Sequence, residues 1–240
     1  RGRYAHTSVV YNNKIYVFGG MSISGSAGSC LNSIEIYDSN KNTWTTAPYT
    51  LSDYRARHCS VLINNIVYIF SGLNINSGPV SSCEKINLSS DNPVAVSCSS
   101  MKLERDSACA TVLNGMIYIY GGNGPGSIIE SNEYYNPSID AWNYLNVAPM
   151  NNKYGLYSDG NACVVLNGKI YLIANLFATS TLNEVYDPST NTWSVISTMN
   201  ERRRQHAACV AVNGKIFAIG GTNLNTAGYL NSIEYYTPEN

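Results

Sequence analysis

The segment IYVFGG, residues 15–20, decides the fold of this 240-residue chain, because its pattern recurs along the whole sequence. An apolar strand that ends in a glycine doublet, or in the remnant of one, occurs five times, with the last residue at Gly20, Gly72, Gly122, Asn175 and Gly221. Successive anchors are 52, 50, 53 and 46 residues apart. A period of about fifty residues indicates one supersecondary unit copied in tandem, and it is too long for helical-pair repeats.

Two further features keep the same period. Each strand is preceded by a two-residue turn that accepts positive φ at little cost, as a tight hairpin requires. These turns are Asn12-Asn13, Asn64-Asn65, Asn114-Gly115, Asn167-Gly168 and Asn213-Gly214. Downstream lie NSIEIYD (32–38), SNEYYNP (131–137), LNEVYDP (182–188) and NSIEYYTP (231–238), and a tryptophan follows three of them, at Trp44, Trp142 and Trp193. Each unit therefore reads as four antiparallel strands, a to d, with a tight a–b turn and a longer b–c connection.

The double glycine, the Tyr-Asp/Asn-Pro turn and the spaced tryptophan, repeated in register, resemble those of kelch-repeat β-propellers of the kelch-like adaptor type. The resemblance covers essentially all 240 residues and implies an all-β propeller with five blades of four antiparallel strands. We predict one domain, residues 1–240, with blades at about 1–50, 51–101, 102–150, 151–199 and 200–240. The last blade lacks its outer strand within this chain, and we expect residues before Arg1 to supply it. A piece of a six-bladed ring is the alternative to five blades.

Two copies depart from the pattern. The second has Ser71-Gly72 and no tryptophan, and the fourth has Ala174-Asn175, with Ser158-Asp159 where the other copies carry an arginine. We expect both blades to be locally distorted.

The composition gives no indication of binding to nucleic acid or to a membrane. Only 13% of the residues are charged and the net charge is −1, which gives no sign of attraction to nucleic acid or to a membrane surface. No apolar run approaches the ~20 residues of a transmembrane helix. We therefore expect neither nucleic acid nor membrane among the partners.

Cysteine spacing gives no sign of a metal site. The seven cysteines form no Cys-x-x-Cys pair, so we expect no metal and no cofactor. Four lie in strand a, where a thiol behaves as a small hydrophobe: Cys59, Cys109, Cys163 and Cys209. The c–d hairpin of the second unit can bring Cys83 and Cys98 opposite one another, and their pairing is left open. On balance the cysteines favour a reducing, cytoplasmic location.

Binding residues are expected where the variable loops lie. In this topology the b–c and d–a connections emerge together on one side, which we call the b–c/d–a face, and variable loops on a rigid frame commonly bind ligands. Arg3, Arg55, Arg105 and Arg204 each stand ten positions before the second residue of an a–b turn. We expect them to form a broken ring around the mouth of the axial channel. They either bond loop carbonyls and a neighbouring blade, or present paired donors to carboxylates of an acidic peptide.

Histidines and tyrosines near these arginines complete the predicted site. The predicted partner-binding residues are Arg3, Arg55, Arg57, Arg105, Arg204, His6, His58, His206, Tyr54, Tyr154 and Tyr157. The histidines recur at nearly one register, which favours a framework role at the channel mouth. A glutamate precedes the strand-c tyrosines in each well-formed copy, at Glu35, Glu133, Glu184 and Glu234, and such repetition favours a role in the fold.

We predict a non-catalytic protein-interaction domain that binds an acidic peptide or loop, with no catalytic residues assigned. The kelch-like resemblance implies the substrate-recognition module of a ubiquitin-ligase adaptor, with a cullin ligase or actin reached through domains outside this chain. The alternatives are a sugar-active enzyme similar to the sialic acid mutarotases and a carbohydrate or cell-surface recognition propeller.

Overall fold

The structure is a computed structural model that describes residues 2–22, 29–129, 131–146, 162–173, 183–201, 203, 208–223 and 228–238. These residues form strands joined by turns and loops. None of the described segments is a helix that could cross a membrane.

Five antiparallel sheets form the blades of the described chain, four with the strand order a-b-c-d and the fifth with the order a-b-c. The first blade and its short extensions comprise β1 (Arg3–Tyr4), β2 (Thr7–Tyr11), β3 (Lys14–Phe18), β4 (Met21–Ser22), β5 (Ser33–Asp38) and β6 (Thr43–Thr50). The second comprises β7 (Cys59–Ile63), β8 (Ile66–Phe70), β9 (Leu73–Asn74), β10 (Gly78–Pro79), β11 (Cys83–Asn87) and β12 (Ala95–Cys98). The third comprises β13 (Cys109–Leu113), β14 (Met116–Tyr120), β15 (Asn123–Gly124), β16 (Ser127–Ile128), β17 (Glu133–Asn136) and β18 (Ala141–Tyr144).

The last two blades follow the same order. The fourth comprises β19 (Ala162–Leu166), β20 (Lys169–Ile173), β21 (Asn183–Asp187) and β22 (Thr192–Ile196). The fifth comprises β23 (Ala208–Val212), β24 (Lys215–Ile219), β25 (Thr222–Asn223), β26 (Gly228–Tyr229) and β27 (Ile233–Tyr236). Its main sheet is β23-β24-β27, so the described fifth blade has three strands, as predicted.

The a–b turns have the backbone that their sequences predicted. Asn114 and Gly115 have φ values of 52° and 75°, and both residues of the first turn, Asn12 and Asn13, are also in the left-handed region. Asparagine and glycine tolerate this region better than other residues, so each hairpin closes in two residues and fixes the register of strands a and b.

The core lies between consecutive blades. Inner strands are neighbours in chain order: β2 with β7, β7 with β13, β13 with β19 and β19 with β23. Aromatic rings anchor the interfaces, because Trp142 of the third blade meets Phe70 of the second at 5.3 Å between ring centroids. In the next interface Trp193 meets Tyr120 at 5.2 Å. Stacked sheets thus bury the faces that one sheet alone would expose.

The second blade is regular, contrary to the expected distortion. Ser71 takes φ 61° and Gly72 takes φ 108°, close to the values of Gly19 and Gly20 in the first blade, so the serine is forced into the conformation of the glycine it replaces. In the fourth blade, Asn175 and Ser158-Asp159 lie outside the described residues.

A disulfide joins Cys83 and Cys98, directly opposed on β11 and β12 with their Cα atoms 5.3 Å apart. The sequence left this pairing open. Cys59 behaves as the small core residue that the sequence predicted. Its buried thiol donates a hydrogen bond to the Ala108 carbonyl, and burial raises the pKa of that thiol to about 12. The disulfide weakens the cysteine-based argument for a reducing compartment, so the cytoplasmic location stays a prediction.

Candidate partner-binding face

The b–c/d–a face is built from short antiparallel pairs above the blades. They are β1 with β4, β9 with β10, β15 with β16 and β25 with β26, and the described d–a links 51–58 and 99–108 run between them. This face carries every described residue of the predicted site.

Three of the predicted arginines, Arg3, Arg55 and Arg105, point into the blades. The Arg105 Nη1 group donates to the carbonyls of Gly121 at 2.7 Å and Ser131 at 3.0 Å, and Nη2 lies 2.6 Å from Oε1 of Glu133. The side chains of Arg105 and Glu133 are both completely buried. The guanidinium thus ties the end of strand b, the loop before strand c and the strand-c glutamate into one unit.

Equivalent contacts recur in the second blade. Arg55 donates to the carbonyl of Ser71 at 3.0 Å, and its Nη2 lies 3.0 Å from Oε1 of Glu84, with 1% and 2% of the two side chains exposed. Burial lowers the pKa of Arg55, and the neighbouring Glu84 and Asp53 oppose that shift. The guanidinium is therefore held as a paired cation.

The first blade has a looser version of this contact. Arg3 donates to the Gly19 carbonyl at 2.7 Å and lies 3.2 Å from Glu35, whose side chain is 19% exposed. In the fifth blade the equivalent residue is Arg203, which donates to Gly220 and pairs with Glu234 at 3.1 Å. It stands one residue before the predicted Arg204, which lies outside the described residues.

Of the two roles left open for Arg3, Arg55 and Arg105, these contacts match the structural one. Their paired donors face glutamates and carbonyls of the same blade, and the ring of guanidinium forks around the channel mouth is not formed by them. The contacts also give Glu35, Glu133 and Glu234 the framework role inferred from their repetition.

His58 likewise supports the frame. Its Nε2 lies 2.8 Å from Oγ1 of Thr7 in the first blade, and burial holds the pKa of the imidazole well below its ordinary value. A buried neutral ring that bridges two blades is a structural element. His6 is exposed on the same face, and His206 lies outside the described residues.

Three residues with positive φ line up across the first three blades. Ala5, Arg57 and Ser107 have φ values of 53°, 52° and 56°. The Arg57 amide donates to the Ala5 carbonyl and the Ser107 amide donates to the Arg57 carbonyl, both at 2.9 Å. Such strained backbone persists where neighbours fix it. Sequence reasoning missed this feature, although the three positions repeat with the period of the glycine anchors.

Four large apolar or aromatic side chains are exposed on the b–c/d–a face. Tyr4, Tyr54 and Tyr229 are 46%, 55% and 93% exposed, and Ile75 at the β9–β10 hairpin is 54% exposed. Tyr54 was predicted, whereas Tyr4 and Ile75 were missed because a single apolar residue in a loop carries little signal. Tyr154 and Tyr157 lie outside the described residues.

Charged groups on this face have both signs. Lys102 and Glu104 are exposed and Arg57 is half-buried. Within the described ranges, no three His, Cys, Asp or Glu side chains are arranged to hold a metal ion.

Comparisons with known proteins find a matching family model and several relatives of this chain. The family model "KLHDC2/KLHL20/DRC7 Kelch-repeats domain" matches residues 1–174 and 57–240. Kelch-like protein 23 of Pongo abelii is 31% identical over 228 residues, which are 94% of this chain and 38% of that protein. Alpha-scruin of Limulus polyphemus is 26% identical over 84% of this chain and 23% of its own length. This chain thus spans well under half the length of these relatives.

A solved structure has the same fold. The chain described as "Structure of YjhT" superposes with a TM-score of 0.83 at 15% identity, covering 99% of this chain and 82% of that one. At this identity the likeness concerns the fold alone. The family model nevertheless spans the whole sequence, so this chain belongs to the kelch-repeat family.

Proposed function

We propose that this chain is a non-catalytic protein-interaction propeller that binds a peptide or loop of a partner protein on the b–c/d–a face. One observation carries the proposal: Tyr4, Tyr54, Tyr229 and Ile75 are exposed on one face of a frame whose arginines are buried. Tyrosine contributes a large contact area at a low cost in side-chain entropy, which is why it is enriched at binding hot spots.

The rigidity of the frame supports the same function. The Arg–Glu pairs hold the end of strand b and the loop before strand c, and those segments flank the hairpins that carry the exposed residues. A loop held at both ends loses less conformational entropy when a partner binds. We therefore expect the side chains of the loops to determine which ligand binds.

The partner's acidic character rests on fewer residues than the sequence suggested. Arg3, Arg55 and Arg105 already face carboxylates of their own blades, and on the described part of this face the exposed cation is Lys102. We propose that apolar contacts supply most of the affinity and that the exposed Lys102 favours a carboxylate in the bound segment.

Membership of the kelch-repeat family and the match to kelch-like protein 23 support a wider role. We propose that the domain recognises substrates within a ubiquitin-ligase adaptor. A cullin ligase, or actin, would then be contacted through domains outside this chain.

The test is a peptide-library selection against the 240-residue protein, followed by affinity measurements on single variants. We expect Tyr54→Ala, Tyr229→Ala and Ile75→Ala to weaken binding, at least one by about tenfold or more, as for hot-spot residues. Ile139→Ala and Val94→Ala are matched controls, because those side chains are 66% and 60% exposed in c–d connections, on the opposite face. Equal losses in the controls would contradict the proposed site.

Further experiments test the preference for acidic peptides and the two alternative functions. Lys102→Ala should reduce the preference for acidic peptides and the salt dependence of binding, whereas a preference that survives this change opposes the role of Lys102. A screen for aldose mutarotation with the same protein tests the sugar-active alternative, and a glycan array tests the carbohydrate-recognition alternative.

A further inference from the structure

A disulfide closes the second blade at the end that faces the proposed binding surface. Cys83 is the first residue of β11 and Cys98 is the last residue of β12, and the two are directly opposed in the ladder. The b–c connection that carries Ile75 ends just before Cys83, and the d–a link that carries Lys102 begins just after Cys98. The disulfide therefore joins the bases of two segments of the b–c/d–a face.

These two segments stay paired beyond the disulfide. The Met101 amide donates to the Ser81 carbonyl at 2.9 Å, and the Arg105 amide donates to the Val80 carbonyl at 3.3 Å. Each of these bonds connects the d–a link with the b–c connection. The pairing that starts at the disulfide thus extends to the chain that carries the exposed residues of the proposed site.

The fourth blade joins the same two positions with a hydrogen bond. Asn183 precedes Glu184 as Cys83 precedes Glu84, and the Asn183 side-chain amide donates to the Ser197 carbonyl at 2.8 Å. That bond also connects the start of strand c with the first residue after strand d. A hydrogen bond is unaffected by a thiol reductant, whereas a disulfide is opened by thiol exchange. The second blade therefore has a redox-sensitive version of this connection.

The disulfide lies where the blade opens most easily. β12 is the outermost strand of its sheet and pairs with β11 over four residues. Val96 of β12 is 50% exposed, whereas Cys83 and Cys98 are 3% and 9% exposed. Short edge strands open locally at a small cost in free energy. Opening of β12 would bring a small thiol to the sulfur of Cys98 without unfolding the inner strands.

We propose that the Cys83–Cys98 disulfide is a redox switch for the b–c/d–a face. The disulfide form orders the segments that carry Ile75 and Lys102, and the dithiol form releases them and weakens ligand binding, because a loop that is free at its base loses more conformational entropy on binding. The effect on a ligand rests on the proposed function, whereas the effect on the two segments needs no ligand.

The chemistry of the switch is thiol–disulfide exchange. A thiolate of a small dithiol attacks the Cys98 sulfur, the S–S bond breaks, and Cys83 leaves as a thiolate that takes up a proton. The second thiol of the reductant then releases Cys98 as a thiol, and the reductant departs as its own disulfide. Two electrons and two protons pass to the cysteine pair. Exchange with a small-molecule disulfide, which is reduced to two thiols, closes the bond again.

The experiment compares two states of the 240-residue protein, one treated with glutathione disulfide and one with dithiothreitol, with free thiols counted in each. The other five cysteines are free thiols, so the reductant acts on this pair. Backbone hydrogen exchange is measured for residues 78–82 and 99–105, and affinity is measured for a peptide selected on this protein. We expect exchange of both segments to accelerate severalfold on reduction and affinity to fall severalfold, with β20 and β21 unchanged.

Two double variants are the controls. Cys83→Ser with Cys98→Ser cannot form the bond, and it should match the reduced protein under both conditions. Cys83→Asn with Cys98→Ile copies Asn183 and Ile196, which are opposed in the fourth blade. It should hold both segments under both conditions. If either variant fails to fold, the two states of the wild-type protein still give the comparison.

Several results overturn the switch. They are equal exchange of the two segments in both states, a pair that glutathione disulfide does not close, and a disulfide that dithiothreitol leaves intact in the folded protein. Faster exchange with an unchanged affinity overturns the effect on ligand binding. If no peptide binds in either state, the proposed function fails, and hydrogen exchange alone then decides whether the disulfide orders the two segments.

Discussion

Nη2 of Arg105 lies 2.6 Å from Oε1 of Glu133, and neither side chain is exposed to solvent. The second carboxylate oxygen, Oε2, accepts the backbone N–H of Lys102 at 2.7 Å, so the glutamate also holds the d–a link. Buried charges are tolerated only when such contacts satisfy them.

Arg105→Met should lower the free energy of unfolding by about 3–5 kcal/mol, because it leaves the Glu133 charge buried without its partner. Arg3→Met is the matched control. Its partner Glu35 is 19% exposed, so water compensates part of the loss and the effect should be smaller. Chemical denaturation measures both, and equal losses at the two sites would contradict this account.

Gly122→Ala should destabilise the protein more than Gly115→Ala. Both glycines have positive φ, 97° and 75°, so alanine costs about 1–2 kcal/mol at either position. A Cβ at position 122 would also lie 2.6 Å from the Asp106 carbonyl, whereas one at position 115 meets no atom within 4 Å. Urea midpoints compare the two variants, and similar midpoints would show that the close approach is relieved without cost.

Asp140 should give the protein a pH-dependent stability. Its Oδ1 accepts the Tyr135 hydroxyl at 2.6 Å and the Ser99 N–H at 2.9 Å, and these hydrogen bonds lower the pKa of the carboxyl below its ordinary 3.8. Because the folded pKa is depressed, the stabilisation is complete above pH 3.8 and is lost as the pH falls below it toward the folded value.

Asp140→Asn is the control for this pH effect, because it keeps an acceptor for Tyr135 and cannot titrate. Asparagine holds the equivalent place in the first and fourth blades, where Asn42 and Asn191 accept the hydroxyls of Tyr37 and Tyr186. Melting temperatures measured from neutral to acid pH should show the difference between wild type and variant shrinking below pH 3.8. A constant difference would contradict the prediction.

The Cys83–Cys98 disulfide should be detectable by counting thiols. The unfolded protein should alkylate five of its seven cysteines without reductant and all seven after reduction. Cys83→Ser with Cys98→Ser should cost about 3 kcal/mol, as estimated for a loop of fifteen residues. Seven alkylated cysteines without reductant would show that the pair is open in solution.

Repeated backbone features could be predicted from the sequence, because their residue types are the cause of the conformation. Asn114-Gly115 closes a hairpin because those residues accept positive φ, and the period of such turns gives the blades. The division of the chain into a single domain with blades at 50/51 and the later boundaries stays a prediction, since several d–a links lie outside the described residues.

The role of the arginines could not be decided in the same way. Arg105 and Glu133 are 28 residues apart, and only the packed blade shows that the guanidinium turns inward to reach the carboxylate. An arginine at this position of the repeat has the same sequence signature whether its side chain reaches the channel mouth or is buried in the blade. The backbone of Ala5, Arg57 and Ser107 was missed for a related reason, since contacts with the neighbouring blades impose their positive φ and their residue types do not favour it.

Besides their glutamates, the inward-turned guanidiniums bond to backbone carbonyls, such as those of Gly121 and Ser131. A carbonyl is present whatever the side chain at that position, so substitutions in the intervening hairpin leave the anchor intact. The proposed recognition surface is thereby separated from the scaffold that supports it, and we expect its side chains to tolerate change, by drift or by engineering, without a loss of folding.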